Sequence, residues 1–257
     1  AGGLGNDAIS GDDGNDLISG GDGNDQIWGG TGDDIVAGGI GNDAISGDDG
    51  NDSISGGDGN DQIWGGTGND VLFGDAGNDL LFGSTGSDTL MGGAGVDRLE
   101  GGEEQDTLFG DVGDDLLFGG SGNDMLRGGK GDDLLVPGTG KDLMSGGAGK
   151  DTFRFDKDSM PRLGVIARIL DFKPGEDKIE ISKALLPGSG LGKGKLSAKD
   201  FAVVDGSNQV PDEARIIFDR QSGKVFYNNP SGVPVPLFSL RKNPHLVDIE
   251  ASDFKIF

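Results

Sequence analysis

Aspartate returns every nine residues from Asp7 to Asp151 without one insertion. The period runs from Gly2 to Arg154, seventeen units, and the sixth position of each holds Asp7, Asp16, Asp25, Asp34, Asp43, Asp52, Asp61, Asp70, Asp79, Asp88, Asp97, Asp106, Asp115, Asp124, Asp133, Asp142 and Asp151. The eighth position is apolar in every unit, from Ile9, Ile18 and Ile27 through Val36, Leu72 and Leu117 to Met144 and Phe153. A second period lies over the first: GNDAISGDDGND at 5–16 recurs unchanged at 41–52, four units later. A fixed short period confines the chain to an array of like units, each burying its apolar face only against its neighbours.

Such an array lacks its own means of staying folded. The chain has 53 glycines in 257 residues but only one tyrosine and two tryptophans. A glycine-rich stretch buries too little apolar surface to offset the backbone entropy lost on ordering, so something outside the polypeptide must supply the balance. There is no cysteine, which removes both disulfides and thiolate metal sites. The stabiliser must bind through oxygen. Charge is segregated: up to Arg154 the chain carries 31 acidic and 6 basic side chains, a formal −25, and from Phe155 onward 14 and 15, a formal +1. We therefore expect two modules, 1–154 and 155–257. No segment approaches the roughly 20 apolar residues of a membrane span, and no charged-then-apolar leader opens the chain. It begins inside the repeat at Ala1-Gly2 without a methionine, so we expect a further part upstream.

The unit GGDGNDQIW at 20–28 resembles the G-G-x-G-x-D-x-U-x nonapeptide of RTX proteins at every defined place, and the resemblance covers about 60% of the chain. It implies a right-handed parallel β-roll of 18-residue coils, two units per coil, with six residues of each unit in a turn and three in a short strand. The residue chemistry agrees. Glycine permits the positive φ of a tight turn, Asn or Asp at position five tolerates the left-handed region, and a three-residue strand with an inward middle residue gives one apolar layer per coil. The isoleucine is the core and the aspartate is the ligand.

Stacked coils about 4.8 Å apart place each turn over the one two units later, Asp7 near the turn of Asp25 and Asp16 near that of Asp34. Carboxylates converge there with main-chain carbonyls of turn residues such as Gly20, Gly21, Gly23, Gly56, Gly57 and Gly59. Oxygen-only ligands on a flexible backbone favour Ca²⁺ over zinc or copper, and Mg²⁺ resists giving up its waters. Seventeen turns paired as i with i+2 leave room for up to 15 ions, whose +30 is comparable with the repeat's −25. Without calcium the carboxylates repel one another, so the repeat is expected to be unfolded. The turns carrying Glu104, Pro137, Val96, Lys141 and Lys150 depart from the pattern, and their sites are expected to be weak.

Positions seven and nine should face outward, and many are apolar: Leu17, Ile35, Val71, Leu80 and Leu116 at seven, with Trp28, Trp64, Phe73, Phe82, Met91, Phe109 and Phe118 at nine. So much exposed apolar surface suggests either cover from the C-terminal module or a partner, protein or cell surface, recognised through Trp28, Trp64 and Phe82. From Phe155 the repeat gives way to alternating β patterns, with ARIIFD, a QSG turn and KVFYN at 214–228 reading as a hairpin within a small sandwich-like cap. ILDFKPGEDKIEIS at 169–182, LSAKDFAV at 196–203 and the terminal SDFKIF resemble the C-terminal domain of serralysin-type proteases and cyanobacterial haemolysin-like proteins. That resemblance implies a cap, an uncleaved signal for type I secretion machinery and a secreted, extracellular bacterial location. Lys255 interrupts the usual run of apolar residues after the aspartate.

Catalysis is not expected in this chain. A zinc-protease motif needs two histidines and there is one, His245, while the paired carboxylates face metal sites and have no environment for acid-base work. We expect that any catalytic domain of the parent protein lies upstream. A net charge of −24 with no basic stripe disfavours nucleic acid. The expected role is a calcium-folded module that supports secretion and extracellular stability of a larger protein. The alternative is a calcium-rigidified adhesion, S-layer or assembly protein.

Overall fold

The computed structural model describes residues 1–157, 159, 166–205, 214–228, 234–241 and 248–257. β1 (Gly3–Leu4) opens the roll, and each of the seventeen units then starts one strand, from β2 (Ala8–Asp13) and β3 (Leu17–Asp22) to β17 (Leu143–Ala148) and β18 (Thr152–Phe155). Odd strands pair in parallel in one sheet and even strands in the other. The register is constant at 18 residues: Ile18 lies beside Val36, and Ile27 beside Ile45. The fold is a parallel β-roll.

Strands β2 to β17 are six residues long, where three were expected. Positions one to three of the next unit stay extended enough to join the ladder, as in Gly21 beside Gly39 and Asp22 beside Ile40. Within each strand the eighth and first positions face in and the seventh and ninth face out, giving the alternating burial of a pleated strand. The inward eighth residues form one column per sheet, and from Ile27 to Phe153 none is more than 2% exposed.

The cap is two-layered, and its layers are the roll's own sheets carried on. Strand β19 (Ala167–Ile169) pairs in parallel with β17, and β20 (Lys178–Ile181) with β18. Next come β25 (Pro234–Leu240) beside β19 and β26 (Phe254–Ile256) beside β20, both parallel. The expected hairpin forms from β23 (Ile216–Asp219) and β24 (Lys224–Asn228), antiparallel, with Gly223 at φ 73° in its turn. It adds to the free edge of β25, and β22 (Phe201–Val204) closes that sheet, while β21 (Gly194–Lys195) closes the other. Aromatic rings fill the space between the layers, Phe155 stacked on Phe238 at 4.4 Å and Phe201 tilted against Phe254 at 5.0 Å. Core and sheets thus pass without a break through the compositional boundary at 154/155. His245 lies outside the described residues.

Candidate metal centres along the turns

The sixth-position aspartates form a ladder on each flank of the roll. The Asp7 N–H donates to Asp25 Oδ1 at 2.8 Å and the Asp16 N–H to Asp34 Oδ1 at 2.7 Å. The same bond recurs at every 18-residue step up to Asp133 and Asp151 at 3.2 Å. One carboxylate oxygen is therefore spent on the neighbouring coil. The other, Oδ2, is buried and without a hydrogen-bond partner in all seventeen residues from Asp7 to Asp151. A buried carboxylate oxygen left unpaired costs on the order of 1–3 kcal/mol or more, and one residue per turn repeats the cost.

The glycines show what each Oδ2 faces. A Cβ on Gly20 would stand 2.2 Å from Asp25 Oδ2 and 2.6 Å from the Gly38 carbonyl oxygen, so this place admits no side chain while both oxygens point there. Gly56 is placed in the same way, 2.3 Å from Asp61 Oδ2 by this measure, and its own carbonyl lies 2.6 Å from the Cβ position of Gly38. Positions two and four take positive φ in every unit, for example Gly21 at 116° and Gly23 at 135°. This turns their carbonyls toward the next coil, each 2.1 Å from the Cβ position of Gly39 or Gly41. Gly57 and Gly59 repeat the arrangement against Asp75 and Gly77. Between turns 20–25 and 38–43, Asp25 Oδ2 and the Gly38 carbonyl meet at Gly20, and the Gly21 and Gly23 carbonyls reach across to Gly39 and Gly41.

One sequence expectation needs correction. Position five is not left-handed: among the described residues the non-glycine residues with positive φ are Asp12, Asp48, Asp75, Ser84 and Asp111 at position two and Glu104 at position four. Asn and Asp at position five instead form a second, outer ladder, with the Asn24 N–H on Asn6 Oδ1 and the Asn60 N–H on Asn42 Oδ1. Val96, Lys141 and Lys150 donate to that ladder through their N–H groups but cannot extend it. Glu104 reaches back to accept the Gly86 N–H at 3.0 Å, bringing an extra carboxylate to its turn. Pro137 puts a ring where the other units keep a glycine.

Burial drives the ladder's protonation equilibria. Desolvation pushes the carboxyls of Asp52, Asp61, Asp70, Asp115 and Asp124 up to about 6, and those of Asp79, Asp106, Asp133 and Asp142 to about 7. Hydrogen bonds from the preceding coil oppose the rise, and neighbouring ladder carboxylates add to it. These carboxyls are poised to exchange a proton for another cation. Among the described residues no three acidic or histidine side chains converge on one point, so a cation here draws on no more than two carboxylates and otherwise on carbonyls. That donor set is all oxygen and suits calcium.

Comparison with known proteins agrees. The family model for the RTX calcium-binding nonapeptide repeat (4 copies) matches in overlapping segments: 1–36, 37–72, 64–99, 73–108, 91–126, 100–135 and 127–158. The chain belongs to the RTX repeat family. Among solved structures, the solution structure of the AlgE6R3 subunit from the Azotobacter vinelandii mannuronan C5-epimerase is similar at 29% identity. The match covers 63% of this chain and 79% of that one, with a TM-score of 0.36. No curated protein matches.

The outer faces of the RTX roll carry part of the expected apolar surface. Trp64 stacks on its register partner Phe82 at 5.8 Å, and Trp28 and Trp64 remain 43% and 38% exposed. Further along, the chain covers its own rings: Arg98 lies over Phe118 at 4.2 Å and Arg127 over Phe109 at 5.5 Å.

Proposed function

We propose that residues 1–154 form a roll whose turns bind up to 15 calcium ions through the seventeen ladder aspartates and the position-one, -two and -four carbonyls. Residues 155–257 cap that roll and carry its signal for type I secretion. The observation that carries this reading is the row of seventeen buried, unpartnered Oδ2 atoms, sixteen of them beside a position-one glycine and one, Asp142, beside Pro137. Bound calcium supplies the positive charge that lets these carboxylates stay ionised and close together. The chain's own part is to hold Oδ1 on the neighbouring coil and keep the carbonyls turned into the gap. In low-calcium cytosol the repeat stays unfolded and threadable. Outside the cell, where calcium is millimolar and modules of this kind bind at about 10⁻⁴ to 10⁻³ M, it folds and stabilises the protein it belongs to. Far-UV circular dichroism in chelator, titrated in parallel with CaCl₂ and MgCl₂, tests this. A cooperative gain of β signal with calcium alone is expected; a roll already folded in chelator would end the switch.

A second reading rests on the Trp64–Phe82 stack, an outward aromatic pair with Trp64 38% exposed. In that reading calcium rigidifies the roll so that Trp28, Trp64 and Phe82 engage a partner in adhesion or assembly. Serine at these three positions should then leave calcium-driven folding intact and abolish self-association or attachment.

A further inference from the structure

The aspartate ladder does not stop with the repeats. The Asp151 N–H donates to Asp177 Oδ1 at 3.2 Å, although Asp177 follows by 26 residues rather than 18. Asp177 ends the turn 171–177 between β19 and β20, which stacks on the last repeat turn, 146–151. This turn, DFKPGED, has one residue more than a repeat turn and no glycine pair. Asp171 at its start accepts from Ser145 Oγ at 2.6 Å and from the Gly146 and Gly147 N–H groups at 3.0 Å each.

Two contacts separate this turn from the seventeen before it. The Lys173 N–H donates to Asp177 Oδ2 at 2.8 Å, so the oxygen that is unpartnered in every repeat is satisfied here by the protein itself. The Lys173 ammonium in turn donates to the Gly147 carbonyl at 2.5 Å, with Glu176 Oε2 at 3.9 Å. Gly147 is a position-two residue, and position-two carbonyls are among those that open into the gaps between turns; the Gly129 carbonyl, one coil earlier, lies 2.2 Å from the Cβ position of Gly147.

We propose that the Lys173 ammonium is a tethered cation standing where the repeats take calcium, so that the joint between the last repeat turn and the cap closes without metal. Its charge is +1 where calcium brings +2. Asp177 has donors on both oxygens, which leaves Asp151 Oδ2 as the joint's one unpartnered ladder oxygen. A tethered charge has no free concentration to fall below. The metal-free chain therefore keeps one ordered turn, aligned in register, on which calcium-loaded turns add one after another toward the N-terminus.

The proposal rests on the calcium reading of the roll, and hydrogen exchange on the full chain separates the two. In metal-free wild type, amides in 143–151 and 167–182 should be protected while those in 35–76 exchange freely. Lys173→Met should lower joint protection by about tenfold or more, the worth of a charge-assisted hydrogen bond, and Lys173→Arg should keep it. Saturating calcium should restore protection across 35–76 in all three chains. A metal-free joint as labile as 35–76, or Met and Arg variants that behave alike, overturns the tethered cation. Repeats at 35–76 that ignore calcium overturn the reading beneath it, in a different set of peptides.

Discussion

At the scale of the residue, each ladder aspartate divides its labour: one oxygen ties two coils together and the other has no protein partner. Asp79→Asn keeps the amide oxygen that accepts the Asp61 N–H and removes the charge. With calcium it should destabilise the roll by about 1–3 kcal/mol, the scale of a lost charge-assisted interaction, read as a lower melting temperature. Without calcium the sign should reverse, since one member of a row of like charges is gone. Gly65 tests the cradle separately. Its φ is ordinary but a Cβ would stand 2.3 Å from Asp70 Oδ2, whereas Gly192 has nothing within 4 Å. Gly65→Ala should raise the calcium midpoint of folding, and Gly192→Ala should leave it unchanged. The aspartate and the glycines were legible in the sequence because both recur at fixed places. The role of position five was not, because Asn suits a left-handed turn and a side-chain ladder equally well, and only the 18-residue stacking brings Asn6 to Asn24.

At the scale of the element, the ladder carboxyls titrate as a coupled row. Their folded-state values of about 6 to 7 lie above an unfolded value near 3.9, so the metal-free fold binds more protons than the unfolded chain. Its stability is then fullest below about pH 4 and falls as pH rises toward 7. Calcium binding has the opposite trend, since the ion must displace those protons. Metal-free chain should hold more β signal at pH 5 than at pH 8, and the calcium midpoint should be higher at pH 5.5 than at pH 8. A midpoint that does not move with pH would show that these carboxyls are already ionised before calcium arrives. Strand identity was readable from the apolar eighth position, but strand length was not: glycine-rich position one to three residues look like turn and pair as strand. The turn at 171–177 escaped a search by period because its extra residue and lost glycines break the nine-residue count, while its aspartate keeps the ladder.

At the scale of the whole molecule, the acidic repeat and the near-neutral C-terminal region differ in composition yet share two sheets and one core. A chain ending at Arg154 would lose β19 and β20, the acceptors on Asp171 and Asp177, and the cover over Phe153. It should need about tenfold more calcium to fold, the factor expected for losing on the order of 1.4 kcal/mol, or reach only part of the β signal. Full-strength, unshifted folding of 1–154 would show the cap to be dispensable. The charge step near residue 155 marks where the chemistry changes; the continuity of the sheets was hidden because cap strands come from distant segments, β25 and β26 among them. The constant 18-residue register also makes the roll a rod that can be edited in length. Deleting 18 residues removes one layer, about 4.8 Å, and leaves every downstream side chain on its own face. Deleting nine keeps the core column apolar but exchanges the two faces beyond the cut, so that Trp28 and the Trp64–Phe82 pair, now on one side of the rod, would look in opposite directions.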